Sequence, residues 1–362
     1  MLPKSAVMLG TRPEIIKMAP VIRELETRGD DFFIIHTGQH YSYNLEGVFF
    51  EQLKLPQPKY NVEAGSGSHA EQTAKILVGV EKVLQEETPY NVLGEGDTNS
   101  VLASALAATQ LHIKVGHIEA GLRSYDRNMP EEINRALTDH CSDYLFAPTE
   151  KAKVILLGEG IPEDRISVTG NTVVDAVYQN LKIAQEQSHI LNILHVNPGE
   201  YLLVTLHRQE NVDNRVRFNS ILESLDKIAV DSNLPIIYPI HPHSRKRMSE
   251  FDLEAPNLTL IEPVDFFSFL QLESNARIIL TDSGGVQEEA CILSVPCVTL
   301  RDNTERPETI EVGANILAGT SPGNILECVR LMLGKEKDWQ NPFGDGKAGE
   351  RIISIITGGF NG

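Results

Sequence analysis

Residues 91–119 read NVLGEGDTNSVLASALAATQLHIKVGHIE. An apolar run, NVLGE, stops at a glycine and an aspartate. A helical pattern follows, SVLASALAATQL, and then a second apolar run, KVGHIE, that also ends on a carboxylate. Strand, helix, strand within thirty residues is a parallel crossover unit, and continuous apolar runs are what parallel strands buried on both faces look like. The same alternation extends in both directions. Strand candidates SAVML (5–9), FFIIH (32–36), YLFA (144–147) and ISVTG (166–170) surround the quoted unit, with helix candidates EIIKMAPVIRELETRG, AEQTAKILVGVEKVLQEE and PEEINRALTDHCS between them. A second series follows: YLLVTL (201–206), PIIYPI (235–240), LTLI (258–261), ARIILTD (276–282) and PCVTL (296–300), separated by NSILESLDKIAVDS, FFSFLQLES and VQEEACILS. Two runs of βαβα predict an α/β protein with two Rossmann-like, doubly wound domains.

Length agrees, since 362 residues exceed what one core commonly organises. The polar-helical and Pro-Gly stretch 180–200 marks the connection. We place the first domain at 1–170, with a C-terminal helix at about 349–362 packing back on it, and the second at 171–348. Two such sheets facing a cleft would put their ligand at the carboxyl ends of the strands.

A formal charge of −18 argues against nucleic acid and anionic membranes as partners, because both need a basic face. A small anion needs only a local nest of donors. Cys141, Cys291, Cys297 and Cys328 make no CxxC pair and no metal-ligand spacing, so they read as reduced thiols of a cytoplasmic protein. The start of the chain has too short an apolar stretch for a signal peptide, and no segment reaches the ~20 apolar residues of a membrane span.

The motifs fall at strand ends. In GTRPEIIK (10–17), Thr11 and Glu14 form a capping-box pattern with Pro13 in the first turn, so the helix start offers N–H groups to an anion. Arg12 and Lys17 would flank that anion, and Gly10 would let backbone approach it. Asp97 in GEGDTNSVL (94–102) is either a plain helix cap, with Thr98 and Asn99 as alternatives, or a functional carboxylate. Glu119, at the end of a buried strand, is too costly to leave unpaired: it either pairs with Arg123 or serves as an acid or base. In MPEEINR, Glu131 and Glu132 complement a helix dipole and Arg135 is spaced to pair with either.

In the second half, His207 and Arg208 of TLHRQEN (205–211) could meet a phosphate, whereas His241 of IHPHSR (240–245) reads as structural. No third ligand supports a metal there. TDSGGVQEEA (281–290) is the most specific local signal. Ser283 caps a helix, Gly284 and Gly285 admit a ligand to the backbone, and Glu289 is placed for ribose hydroxyls. Arg301 and Arg306 follow in RDNTERPE (301–308). GDGKAG (344–349) matches GxGxxG but follows no strand, so it carries no dinucleotide reading.

Taken together, GTRPEIIKMAP, EGDTNSVLA, GHIEAGLRS, MPEEINR, HRQEN and TDSGGVQEE…TERPE resemble the non-hydrolysing UDP-N-acetylglucosamine 2-epimerases nearly end to end. The resemblance implies a glycosyltransferase-B-type fold, a homodimer, no cofactor and no metal. It implies reversible inversion of C-2 between UDP-N-acetylglucosamine and UDP-N-acetylmannosamine, supplying cell-surface polysaccharide precursors, by anti elimination of UDP through 2-acetamidoglucal. Residue by residue, it makes Asp97, Glu119 and Glu131 the acid/base carboxylates. His207 and Arg12 would meet the diphosphate, with Lys17 in support. Ser283, Gly284, Gly285 and Glu289 would hold phosphate and ribose, Arg306 the sugar or phosphate, and Val264 and Phe269 would border the uracil. One stretch departs from the pattern: effector-regulated members carry a further glutamine near TAQH-like residues, where this chain has TGQHYSYNL (37–45) with Tyr41 and Tyr43. That departure speaks against effector activation. A hydrolysing epimerase, a glycosyltransferase and a nucleotide-sugar-binding regulator are the rival readings.

Overall fold

The computed structural model describes residues 4–38, 47–65 and 67–358. Tyr41 and Tyr43 lie outside the described residues. Contacts divide the chain into two compact units, Met1–Tyr178 with Phe343–Gly362, and Gln179–Pro342. The chain passes from one to the other inside the helix Thr172–Gln187.

Among the described residues the first unit has strands β1 (Ser5–Leu9), β2 (Phe32–His36), β3 (Tyr60–Asn61), β4 (Asn91–Glu95), β5 (Lys114–Ile118), β6 (Tyr144–Ala147) and β7 (Ile166–Val168). They lie in the order β3-β2-β1-β4-β5-β6-β7, every pairing parallel. The second unit has β8 (Leu202–Thr205), β9 (Ile236–Pro239), β10 (Leu258–Ile261), β11 (Ile278–Thr281), β12 (Cys297–Thr299) and β13 (Asn315–Leu317), ordered β10-β9-β8-β11-β12-β13 and also parallel. Helices cover the strands, so apolar residues run unbroken along them: all five residues of SAVML are buried.

In each sheet the chain winds outward from a central strand and then returns to the other side of it. The reversal falls between β1 and β4 in one unit and between β8 and β11 in the other. At such a switch point neighbouring loops diverge and leave room for a ligand at the strand ends. Met8, Ile35, Val92 and Val115 knit the first sheet to Ile76, Val80 and Leu84 of the helix His69–Glu87. Leu202, Val204, Ile236 and Ile278 do the same with Phe218, Ile221 and Leu225 of the helix Arg215–Ser232. Each such burial stabilises by roughly 1.5–3 kcal/mol, which fixes the strand ends as rigid platforms.

The GDGKAG stretch makes a tight entry to the C-terminal helix Ala348–Gly358. Backbone N–H groups of Ala348 and Gly349 donate to Asp175, at 3.2 and 2.9 Å. A Cβ on Gly349 would stand 3.1 Å from the backbone of Pro20, so glycine lets this helix close on the helix Arg12–Arg28. Arg28 ties the two together through the Glu350 carbonyl and Ser354 Oγ, at 3.1 and 2.8 Å.

Candidate active site

β4 and β5 are neighbours, with Glu95 opposite Ile118 in the register, so their carboxyl ends open side by side. Glu119 follows β5 directly in the left-handed region at φ 69°. For a residue with a Cβ that conformation costs about 1–2 kcal/mol and persists only where surroundings hold it. The N–H of Gly96 donates to the Ile118 carbonyl at 3.1 Å and that of Ala120 to the Phe146 carbonyl at 3.2 Å, fixing both flanks.

Lys17 reaches into these strand ends from the helix Arg12–Arg28. Its ammonium donates to Glu95 Oε1 at 2.8 Å and to Glu119 Oε2. Both carboxylates are buried, at 2 % and 7 % exposure, and they stand beside each other around the one ammonium. Burial pushes the Glu95 carboxyl well up; Lys17 opposes this and the neighbouring Glu119 adds to it. Lys17 therefore joins two carboxylates here, where the sequence placed it beside a phosphate, and Glu95 is a residue that sequence reasoning passed over. Arg123 is not the partner of Glu119. Its guanidinium pairs with Glu159 at 2.7 Å and Asp139 at 2.6 Å.

Asp97 does not cap the following helix; Thr98 does, its Oγ1 accepting from Val101 N at 3.4 Å. Asp97 pairs with Arg135, which also holds Glu132 at 3.1 Å. Burial pushes the Asp97 carboxyl up against the pull of Arg135. Glu132 accepts from Ser124 N, Ser124 Oγ and Tyr125 N at 2.8–3.0 Å, so it ties the loop after β5 to the helix Pro130–Cys141. Its neighbour Glu131 stands half-buried in the first turn. His117, fully buried, bridges Asp139 Oδ1 at 2.6 Å and the Gly96 carbonyl at 2.8 Å. Burial disfavours its charge, but Asp139 more than offsets this and holds the imidazole above its ordinary range.

At the end of β1 the capping glutamate is itself buried. Glu14 Oε2 accepts from the N–H groups of Gly10 and Thr11. Two donors that the sequence offered to an anion thus serve an internal carboxylate. Burial raises that carboxyl to about 7. Gly10 makes room for Ser100, since a Cβ there would lie 2.2 Å from Ser100 Oγ. Arg12 lies over the Phe49 ring at 5.9 Å from its centroid.

In the second unit the organising residue is Asp282, another that the sequence did not single out. With no exposed surface, it accepts from His207 N and Arg208 N at 3.2 and 3.1 Å and from the Asn211 amide at 3.2 Å, and it lies 3.0 Å from His207 Nδ1. It fastens the loop after β8 to the end of β11. Ser283 caps the helix Gly284–Ile292 with its Oγ accepting from Val286 N. A Cβ on Gly284 would meet Glu305 Oε1 at 2.5 Å, whereas one on Gly285 meets nothing closer than 3.9 Å. Glu305 is held by Arg208 at 2.8 Å and by buried Arg301 at 2.6 Å. Arg306 engages buried Glu288 at 3.1 Å. Half-buried Glu289 stands beside buried Glu273, whose carboxyl is pushed well up by burial and by Glu289. Val264 and Phe269 pack against the core cluster of Tyr201, Leu203 and Ile279. His241 caps the helix Pro242–Glu250, accepting from His243 N at 3.2 Å.

Two doubly wound parallel units, each with charged side chains at its switch point, define an α/β protein of the glycosyltransferase-B type with Rossmann-like domains. The family model for UDP-N-acetylglucosamine 2-epimerase matches residues 23–357. The chain is 57 % identical to the UDP-N-acetylglucosamine 2-epimerase of Methanocaldococcus jannaschii, over 98 % of this chain and 99 % of that one. It is 54 % identical to that of Methanococcus maripaludis over 98 % of each. It superposes with TM-score 0.85 on the crystal structure of the M. jannaschii enzyme in complex with UDP-GlcNAc and UDP, at 57 % identity, covering 98 % of this chain and 99 % of that one. The chain belongs to the UDP-N-acetylglucosamine 2-epimerase family.

Proposed function

We propose that this enzyme interconverts UDP-N-acetylglucosamine and UDP-N-acetylmannosamine without hydrolysis, as a cytoplasmic homodimer feeding cell-surface polysaccharide synthesis. The C-2 proton is not adjacent to a carbonyl, so direct abstraction near neutral pH is out of reach. Elimination solves this: a carboxylate takes the C-2 proton, the C-1–O electron pair leaves with UDP, and 2-acetamidoglucal remains. UDP then returns to C-1 while a carboxylic acid delivers a proton to the opposite face of C-2.

The observation that carries this reading is the pair of carboxylates at adjoining strand ends, each with its own ion-pair partner. Lys17 grips Glu119 and Arg135 grips Asp97. Acid–base groups of this kind contribute roughly 10²–10⁴ each, and Glu131, in the first turn beyond, is the third candidate. The second domain would hold the nucleotide. Donors at the start of the helix Gly284–Ile292 and His207, with Arg12 of the first domain, would stabilise charge on the departing diphosphate. Glu289 would take the ribose hydroxyls and Arg306 the sugar or phosphate, with Val264 and Phe269 bordering the uracil. A relative's structure with UDP-GlcNAc and UDP bound supports the substrate class.

The test is incubation with UDP-GlcNAc in deuterated water. Deuterium at C-2 of both UDP-linked epimers, approaching equilibrium from either side, is the expected result. Irreversible accumulation of free N-acetylmannosamine and UDP would make the enzyme a hydrolase, and UDP binding without turnover would make it a regulator.

A further inference from the structure

Glu95 has no part in the chemistry above, yet it is a buried carboxylate within reach of the same ammonium as Glu119. We propose that Glu95 is a positioning residue for Glu119: by hydrogen-bonding the Glu119 carboxylate and sharing Lys17 with it, Glu95 fixes that carboxylate in line for proton transfer. The proposal rests on the reading of Glu119 as an acid–base group.

Three observations converge on it. Lys17 Nζ lies 2.8 Å from Glu95 Oε1 and also binds Glu119 Oε2, so one cation is divided between two acids. Glu95 ends β4 opposite Ile118, which puts its side chain beside the residue that leaves β5. Glu119 has a strained backbone, with φ at 69°, so hydrogen bonds to its flanks and its side chain must keep it there.

The charges around the pair decide where a proton sits. The helix Arg12–Arg28 brings Lys17, and β5 brings His117, which feels Glu119. The loop after β4 brings Asp97 with its partner Arg135, and Asp97 in turn feels Glu131. β1 (SAVML) and the helix Asn99–Gln110 (NSVLASALAATQ) have no titratable side chain. Two buried carboxylates facing one ammonium cannot both ionise cheaply, so one proton stays with the pair. Burial and the adjacent Glu119 drive the Glu95 carboxyl upward, and Glu95 is the more deeply buried of the two, so we assign that proton to Glu95. Its O–H then donates to the Glu119 carboxylate, and Glu119 remains the form that can accept a proton. After abstraction the triad gains one proton and one positive charge. Because another acid protonates the opposite face of C-2, the triad is restored when Glu119 gives its proton up to solvent and solvent returns one to that acid.

A purely structural ion pair makes a different forecast. Removing one member of a buried ion pair costs stability, and with Lys17 still held by Glu119 a purely structural role for Glu95 would show in stability and leave kcat alone. The test therefore compares Glu95→Leu and Glu95→Gln in the full-length enzyme, with turnover, UDP titration, and infrared difference spectra at neutral pH. Expected is a kcat at least about tenfold lower for Glu95→Leu, with KM and UDP affinity within about twofold, and recovery of most of the loss in Glu95→Gln, whose amide can still donate to Glu119. The wild-type minus Glu95→Gln spectrum should show the carbonyl stretch of a protonated carboxyl group. Wild-type kcat in Glu95→Leu, equal losses in both variants, or a spectrum lacking that band overturns the proposal. A wild-type enzyme that binds UDP but never epimerises sinks the functional reading instead, and the infrared arm still decides whether Glu95 keeps the proton.

Discussion

His207 Nδ1 stands 3.0 Å from Asp282 Oδ1, with the carboxylate fully buried and the imidazole half exposed. Asp282 also accepts the backbone N–H groups of His207 and Arg208, so one side chain sets both the ring and the loop that carries it. A carboxylate on Nδ1 selects the tautomer and leaves Nε2 as the acceptor nitrogen of the ring. Asp282→Ala leaves several buried donors without an acceptor, at about 1–3 kcal/mol each. We expect it to lower stability by at least about 3 kcal/mol in urea unfolding, with turnover lost. His207→Ala should leave stability nearly unchanged and lower turnover. Equal stability losses in the two variants would remove Asp282 from its organising role.

Asp97 and Arg135 make a second separable pair. Asp97→Asn keeps the shape and removes the charge, so UDP affinity should stay within about threefold while epimerisation falls by at least about 10². Turnover near wild type would withdraw Asp97 from the chemistry. Arg135→Ala removes the cation that opposes the upward push of burial on Asp97. The Asp97 ionisation should move to higher pH, read as a displaced acidic limb in the pH–turnover profile.

The strands were legible where physics leaves little choice. SAVML, FFIIH, NVLGE and YLFA have the observed bounds, because parallel strands covered on both faces need uninterrupted apolar residues, and the edge strand LTLI has them too although Thr259 is exposed. Tyr60–Asn61 and Asn315–Leu317 were missed: edge pieces of two and three residues leave too little apolar pattern to see. Site positions were legible for a related reason, since a doubly wound sheet puts its chemistry at strand ends. Partners were not. Lys17 binds carboxylates 78 and 102 residues further along the chain, and no spacing rule connects them. Glu95 read as the last residue of a strand and Asp282 as part of a glycine motif. Either could have been flagged by the argument applied to Glu119, that a carboxylate ending a buried strand needs a partner.

Glu14 offers a test by pH alone. Burial lifts its carboxyl from the ordinary 4.5 to about 7. Across that window the unfolded chain gives up its proton while the folded chain keeps it, so the folded state binds more protons and stability falls as pH rises, levelling off above about 7. The shift corresponds to roughly 3 kcal/mol. Glu14→Gln cannot ionise and can still accept the Gly10 and Thr11 N–H groups. Relative to wild type it should gain up to about 3 kcal/mol between pH 5 and pH 8 in urea unfolding. A constant difference at both pH values would show that Glu14 does not titrate in this range.

Gly284 and Gly285 separate what a glycine does for the fold from what it does for a ligand. A Cβ on Gly284 would lie 2.5 Å from Glu305 Oε1, and Glu305 is tied to Arg208 and Arg301. Gly284→Ala must push that carboxylate aside, so it should lower the melting temperature even without ligand. Gly285 has open space where its Cβ would go, the nearest atom being Ser283 Oγ at 3.9 Å. In a helix first turn alanine is favoured over glycine by up to about 1 kcal/mol, so Gly285→Ala should melt no lower than wild type. With the diphosphate seated on this helix start, as we propose, the added methyl would crowd it, and UDP affinity should drop by about tenfold or more. Calorimetric titration with UDP beside thermal unfolding reads both quantities. If Gly285→Ala binds UDP as wild type does, the phosphates do not rest on this helix start, and the open space serves some other part of the molecule.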